Sequence, residues 1–164
     1  MKKHQLIFEK IKKLLSEQFG KDLDAYEEGT HLSISDSGIW ISVDDSELTV
    51  GYGMNHRHYH YEYDDINEAV EEFFNLLTRK KRITEFYKGK YAYKNKAEIE
   101  NESGEFKELS TSLIWLFPYW KRTRTKVEIE QNLIDYARIE KEILEIKNYA
   151  QHGILCKALS QVIV

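Results

Sequence analysis

The stretch from Asp64 to Arg79, DDINEAVEEFFNLLTR, constrains this chain more than any other. Ile66, Ala69, Val70, Phe73, Phe74 and Leu77 recur at spacings of three and four, which places them on one stripe of a helix. Asn67, Glu68, Glu71, Glu72, Asn75 and Thr78 fill the opposite side. Asp65 is placed to cap the first turn, with Glu68 three residues on, as in a capping box. Arg79, Lys80, Lys81 and Arg82 crowd the far end, where cations suit the helix dipole. A stripe with two phenylalanines needs a broad apolar partner, and the strand-like segments on both sides can build one. The expected fold is therefore a single α+β domain over 1–164, with one antiparallel sheet of about six to eight strands. The 64–79 helix packs on one face of that sheet, and further helices lie at both ends of the chain.

The flanking segments supply those elements. Lys3 to Phe19 reads as a helix with Ile7, Ile11, Leu14, Leu15 and Phe19 on its apolar face and Gly20 as its stop. Its charges lie within the apolar pattern, so it reads as a helix and not as a signal peptide. Alternating runs follow: Leu32 and Ile34, then Ile39, Ile41 and Val43, then Leu48, Val50 and Tyr52. Asp36-Ser37-Gly38 and Asp44-Asp45-Ser46 separate them, and such short connections predict an antiparallel meander. His56 to Tyr63 is a further extended stretch. Beyond the central helix, Ile83–Tyr87 and Tyr91–Asn95 flank Lys88-Gly89-Lys90 as a hairpin. Residues 98–108 read as an acidic loop, turning at Ser103-Gly104. The unbroken apolar run Leu113–Phe117 predicts a buried strand, and Lys126–Glu130 a last one. Leu133–Ala150 predicts a helix broken by Gly153, with Leu133, Tyr136, Ala137, Ile143, Leu144 and Lys147 on its apolar side. The apolar tail Ile154–Val164 must dock on the protein or mate with a second copy as a homodimer.

One cysteine, Cys156, allows no internal disulfide, which favours a reducing compartment. No apolar run is long enough for a membrane span, so a cytoplasmic location is expected. The net charge of −4 is distributed in blocks. Residues 44–72 hold nine carboxylates and one arginine, whereas 79–96 hold eight basic residues and one acid. Residues 121–126 add four more cations. Blocks of this size either solvate a surface or steer a charged partner.

Candidate chemistry is sparse. His56, His58 and His60 share one face of a strand at i, i+2 and i+4, with Glu62 continuing the row, and imidazoles and a carboxylate are metal-ligand types. The string His56-x-His58-x-x-x-Glu62 resembles part of the first cupin motif. The upstream glycine position is Val50, however, and the only proline, Pro118, is not followed by the histidine of a second motif. The outer pair also stands far apart on a flat strand. The alternative is a solvent-facing row of polar rings, with Tyr59, Tyr61 and Tyr63 opposite. No nucleophile elbow, P-loop or dinucleotide fingerprint occurs, and no cofactor is expected. Lys88, Lys90, Lys94 and Lys96 interleave with Tyr91 and Tyr93, a pattern that fits nucleic acid. The net negative charge opposes that reading, and edge lysines that discourage aggregation account for the pattern.

Two segments taken together carry a family resemblance. LLTRKKRITEFYKGKYAYK at 76–94 and WLFPYWKRTRTKVE at 115–128, behind a strand meander, resemble small cytosolic immunity proteins of Gram-positive bacteria. Such proteins are encoded beside a polymorphic or contact-dependent toxin. The resemblance implies neutralisation of a neighbouring gene's toxin by binding, with no catalysis, no nucleic acid and no membrane involved. A metal-binding enzyme or sensor built on His56, His58, His60 and Glu62 is the competing reading. Toxins that cut nucleic acid are often basic, so the expected contact surface is acidic and aromatic: Asp44, Asp45, Glu47, Tyr59, Tyr61, Glu62 and Tyr63. A basic surface (Lys88, Lys90, Tyr91, Tyr93 and Lys94) is second, and the rings Trp115, Phe117, Tyr119 and Trp120 are third.

Overall fold

The structure, a computed structural model, describes residues 1–161, with side chains described for residues 1–151. Within these residues three helices and two antiparallel sheets, of five and four strands, make an α+β fold. The chain divides into two compact units. Unit 1 runs from Met1 to Asn75 and resumes at Tyr136; unit 2 is Leu76–Asp135.

Unit 1 begins with α1, Lys3–Phe19. A meander follows: β1 (Leu23–Tyr26), β2 (His31–Ile34), β3 (Ile39–Val43), β4 (Glu47–Tyr52) and β5 (Asn55–His60), paired in that order. The register sets Ile41 opposite Leu32 and Val50, and Leu48 opposite Tyr59. Alternation therefore collects Leu32, Ile34, Ile39, Ile41, Leu48, Val50 and Tyr59 on one inner face, and all are buried. α1 lies over β3 and β4 and buries Ile7, Phe8, Ile11, Leu14 and Leu15. α2 (Ile66–Thr78) lies beside β5, where the Tyr59 hydroxyl donates to Glu72 and Arg57 pairs with Glu68 and Glu72. Its stripe is buried as the helical period requires, with Ala69, Val70 and Leu77 wholly inaccessible and Phe73 1% exposed. α3 (Tyr136–Gln161) packs on α1, and Lys147 reaches Glu71 of α2 at 3.4 Å.

Unit 2 carries β6 (Lys81–Lys88), β7 (Tyr91–Glu100), β8 (Phe106–Leu113) and β9 (Thr123–Glu130), in the spatial order β8-β7-β6-β9. Few of its side chains are buried. Lys81 is one, at 1% exposure, and its ammonium donates to the Leu76 carbonyl at 2.9 Å. That bond satisfies a carbonyl in the last turn of α2. Burial pushes the Lys81 pKa down, against the opposing pull of Glu130.

Glu98 is a second buried charge on this sheet, held by Arg82 and Lys96 at 2.8 Å each. The Arg82 bond first, then the Lys96 bond, lower its pKa from 4.5 to about 2. A folded-state pKa below the unfolded one gives stability that is complete above pH 4.5 and lost as pH falls through 2. We expect this contribution to be on the order of 1 kcal/mol, because solvent reaches both cations. Acid unfolding of Glu98→Gln should lack that part of the slope between pH 4.5 and 2. Identical pH profiles for the two proteins would contradict the assignment.

Several expectations need correction. The strands form two sheets, because α2 ends the first meander and, among the described residues, β6 pairs only with β7 and β9. β1 adds a short strand that sequence patterning does not show. The 98–108 segment is mostly strand, turning at residues 101–105. Leu113–Phe117 is not a buried strand: β8 ends at Leu113, and Trp115 stands 75% exposed in a loop. Gly153 does not break the last helix. The buried stripe of α3 is Ile139, Ile143, Ile146 and Ala150, while Tyr136 and Leu144 are exposed and Lys147 serves an ion pair. The tail Ile154–Val164, with its expected docking or homodimer contact, lies outside the described side chains.

Candidate functional site

Two acidic turns meet at one end of the first sheet. The β3–β4 turn carries Asp44 and Asp45, and the β5–α2 turn carries Tyr61, Glu62 and Tyr63. The Tyr61 amide donates to the Ser46 carbonyl at 3.1 Å, which joins them. The start of α1 holds the same place. Lys2 donates to the Asp45 carbonyl at 2.7 Å and lies over the Tyr61 ring at 4.6 Å. His4 stacks on that ring at 5.0 Å and bonds the Asp44 carbonyl through Nε2 at 2.9 Å. Tyr61 donates to Glu62 at 2.8 Å, and His60 stacks on both Tyr61 and Tyr63.

These contacts divide the expected surface residues by role. Asp44 builds the turn: its Oδ1 accepts from the Ser46 and Glu47 amides and from the Ser46 hydroxyl. Burial alone would raise its pKa, but those bonds, the Ser46 amide first, hold it below the ordinary carboxylate value. Asp45, Glu62 and Tyr63 are exposed, and the Tyr63 ring is 82% accessible. Glu47 accepts from His58 Nδ1 at 2.5 Å. Tyr59 does not belong to the surface. It is 1% exposed on the inner face, and burial, then Glu72, pushes its phenol pKa up.

The histidine row does not converge. His56 and His58 share the outer face of β5 with ring centroids 4.9 Å apart, edge to face. His58 is engaged by Glu47 and Thr49, His60 by the tyrosines, and Glu62 by Tyr61. Among the described residues no three His, Cys, Asp or Glu side chains are grouped to hold a metal ion. The outer face instead carries a row of rings across the strands. Tyr26 contacts His31, His31 stacks on Trp40 at 5.1 Å, and Trp40 meets His56 at 5.6 Å. A crease between α1 and α3 holds about 160 Å³, and among its lining charges Lys10 and Glu145 pair at 3.0 Å.

Unit 2 carries a surface that sequence patterning misplaces. Trp115, Leu116, Tyr119 and Trp120 stand 66–80% exposed in the β8–β9 loop, beside the Lys88-Gly89-Lys90 turn. Arg124 donates to the Gly89 carbonyl at 2.6 Å, and Lys88 to that of Tyr119 at 3.4 Å. A signal for this loop was present, since Pro118 interrupts the apolar run and four cations follow within residues 121–126.

Among the described residues no helix is long and apolar enough to cross a membrane. No protein-family model, no curated protein and no solved structure matches the chain.

Proposed function

We propose that this protein acts by binding a protein partner, in the manner of the small toxin-neutralising immunity proteins that segments 76–94 and 115–128 resemble. The observation that carries this reading is the fusion of two acidic turns into one ring-bearing patch by the Tyr61–Ser46 bond. Asp45, Glu62 and Tyr63 present two carboxylates and an exposed ring from turns held on a rigid sheet end. Acidic groups on such a platform steer a basic partner, and the ring supplies desolvated contact area. Asp44 and His4 position the patch and do not contact the partner. Tyr59 is excluded from the contact set by burial. A basic toxin encoded by a neighbouring gene fits this surface.

The test is a pull-down with the neighbouring gene product, followed by association kinetics. Asp45→Lys with Glu62→Lys should slow association by about tenfold or more at low salt, with the difference shrinking as salt rises. Lys90→Glu with Lys94→Glu should leave the on-rate unchanged. If the basic-side pair slows association and the acidic-side pair does not, the contact surface is on the other unit.

A further inference from the structure

We propose that the tip of unit 2, formed by the β8–β9 loop and the Lys88-Gly89-Lys90 turn, docks on an anionic lipid surface. This goes beyond the protein-binding reading, rests on residues other than its acidic patch, and departs from the expectation that no membrane is involved.

The loop is built to hold its rings outward. The Ile114 amide donates to the Tyr93 carbonyl at 2.7 Å, and the Lys121 amide closes a turn onto Pro118 at 3.1 Å. Phe117 is the inward anchor, half-buried against Tyr93 with centroids 4.4 Å apart. Trp115 and Trp120, at 75% and 80% exposure, have no such seat. Exposed apolar runs of this kind mark interaction sites.

The charges are sorted as a bilayer surface requires. Residues 109–120 contain no charged side chain at all. Lys121, Arg122 and Arg124 follow directly, and Lys88 and Lys90 flank them on the adjoining turn. Among the described residues no carboxylate lies within ion-pair distance of these five cations. An uncharged tip of Trp, Leu and Tyr behind a cationic collar matches acyl chains beneath phosphate headgroups. Trp and Tyr settle at that boundary. The irregular backbone of the loop limits insertion to the interfacial layer, because its amides need water or headgroup partners.

The full chain should sediment with vesicles of phosphatidylcholine mixed with phosphatidylglycerol, and not with phosphatidylcholine alone. Brominated acyl chains should quench Trp115 and Trp120, while Trp40 alone, in Trp115→Phe with Trp120→Phe, should stay unquenched. Trp115→Ala with Trp120→Ala should abolish binding. Lys121→Glu with Arg122→Glu should weaken it by at least roughly thirtyfold, about fivefold per neutralised cation. Lys90→Glu, in the hairpin turn outside the loop, should weaken it about fivefold and so reports the collar if loop variants fold poorly. Absence of sedimentation with the mixed vesicles overturns the proposal, as does equal binding to both vesicle types. Ring-dependent capture of an acidic protein, with vesicles ignored, assigns the tip to a protein partner and overturns it as well.

Discussion

Phe73→Ala is expected to destabilise the protein by about 3–5 kcal/mol, the largest loss of any single truncation considered. Phe73 sits in the middle of the buried stripe of α2, 1% exposed, with Ala69, Val70 and Leu77 wholly inaccessible around it. The Phe74 ring meets it edge-on at 5.8 Å. Removing the ring therefore costs its transfer energy and leaves a void. The void cannot close easily, because α2 is also tied at its surface. Glu72 holds Tyr59 and Arg57, Glu68 holds Arg57, and Glu71 holds Lys147. These contacts are made from the polar side and fix the helix where it lies. Urea unfolding should show the midpoint lowered at unchanged slope, since a cavity changes stability and not the surface exposed on unfolding. A midpoint within error of the parent would mean that the stripe is not a core. Phe74→Ala, beside it, provides a second measurement on the same stripe.

The helices and the first meander are legible in the sequence because each has one wet side and one dry side. A period of 3.6 then marks α1 and α2, and a period of 2 marks β2, β3 and β4. The same alternation contained the answer for Tyr59. With His56 and His58 facing out, Tyr59 faces in, beside Leu48. The expectation of an exposed tyrosine row assumed that β5 is wet on both faces and runs on to Tyr63. The strand ends at His60, and on its inner face Tyr59 is buried beside Leu48 while Arg57 stays exposed. Periodicity fails in unit 2 for a related reason. β9 is exposed along nearly its whole length, and β6 mixes charged and apolar residues on both faces. No dry side exists there to phase the pattern. The run Leu113–Phe117 shows the opposite error, since apolar character was read as burial when only Phe117 finds a seat.

The acidic patch was foreseeable as residue types but not as a place. Glu62 is well removed in the chain from the adjacent pair Asp44 and Asp45, and the β4–β5 pairing brings the two turns to the same end of the sheet. Lys2 and His4 had no sequence signal for their part in it. Their role depends on where α1 starts relative to that end, which is a tertiary fact. Position is likewise what separates the histidines: ligand-type residues at strand spacing form a site only if their rings converge, and here each has a neighbour of its own.

A second large effect is expected at Gly51, which lies opposite Trp40 in the β3–β4 ladder. The Trp40 ring lies over its Cα, so closely that an added Cβ would stand 2.0 Å from Cε2 and 2.3 Å from Cζ2. The ring is fixed by its Nε1–H, which donates to the Gly53 carbonyl at 3.0 Å, and by His31 stacked on it at 5.1 Å. Gly51→Ala must therefore expel the indole, breaking that bond and the row of rings across the outer face. The expected cost is about 1–3 kcal/mol, the usual range for overpacking. No left-handed backbone conformation contributes, so the cost is purely steric and depends on Trp40 being present. In a Trp40→Ala background the same Gly51→Ala change should be neutral or stabilising, by about 0.5–1 kcal/mol, because glycine is a poor strand residue. The two substitutions should thus couple by more than about 1 kcal/mol in a double-mutant cycle. Additive effects would show that the ring does not rest on Gly51. With Trp115 and Trp120 changed to Phe, the Trp40 emission should shift to longer wavelength in Gly51→Ala as the indole moves into water. That spectral change separates expulsion of the ring from a general loss of stability.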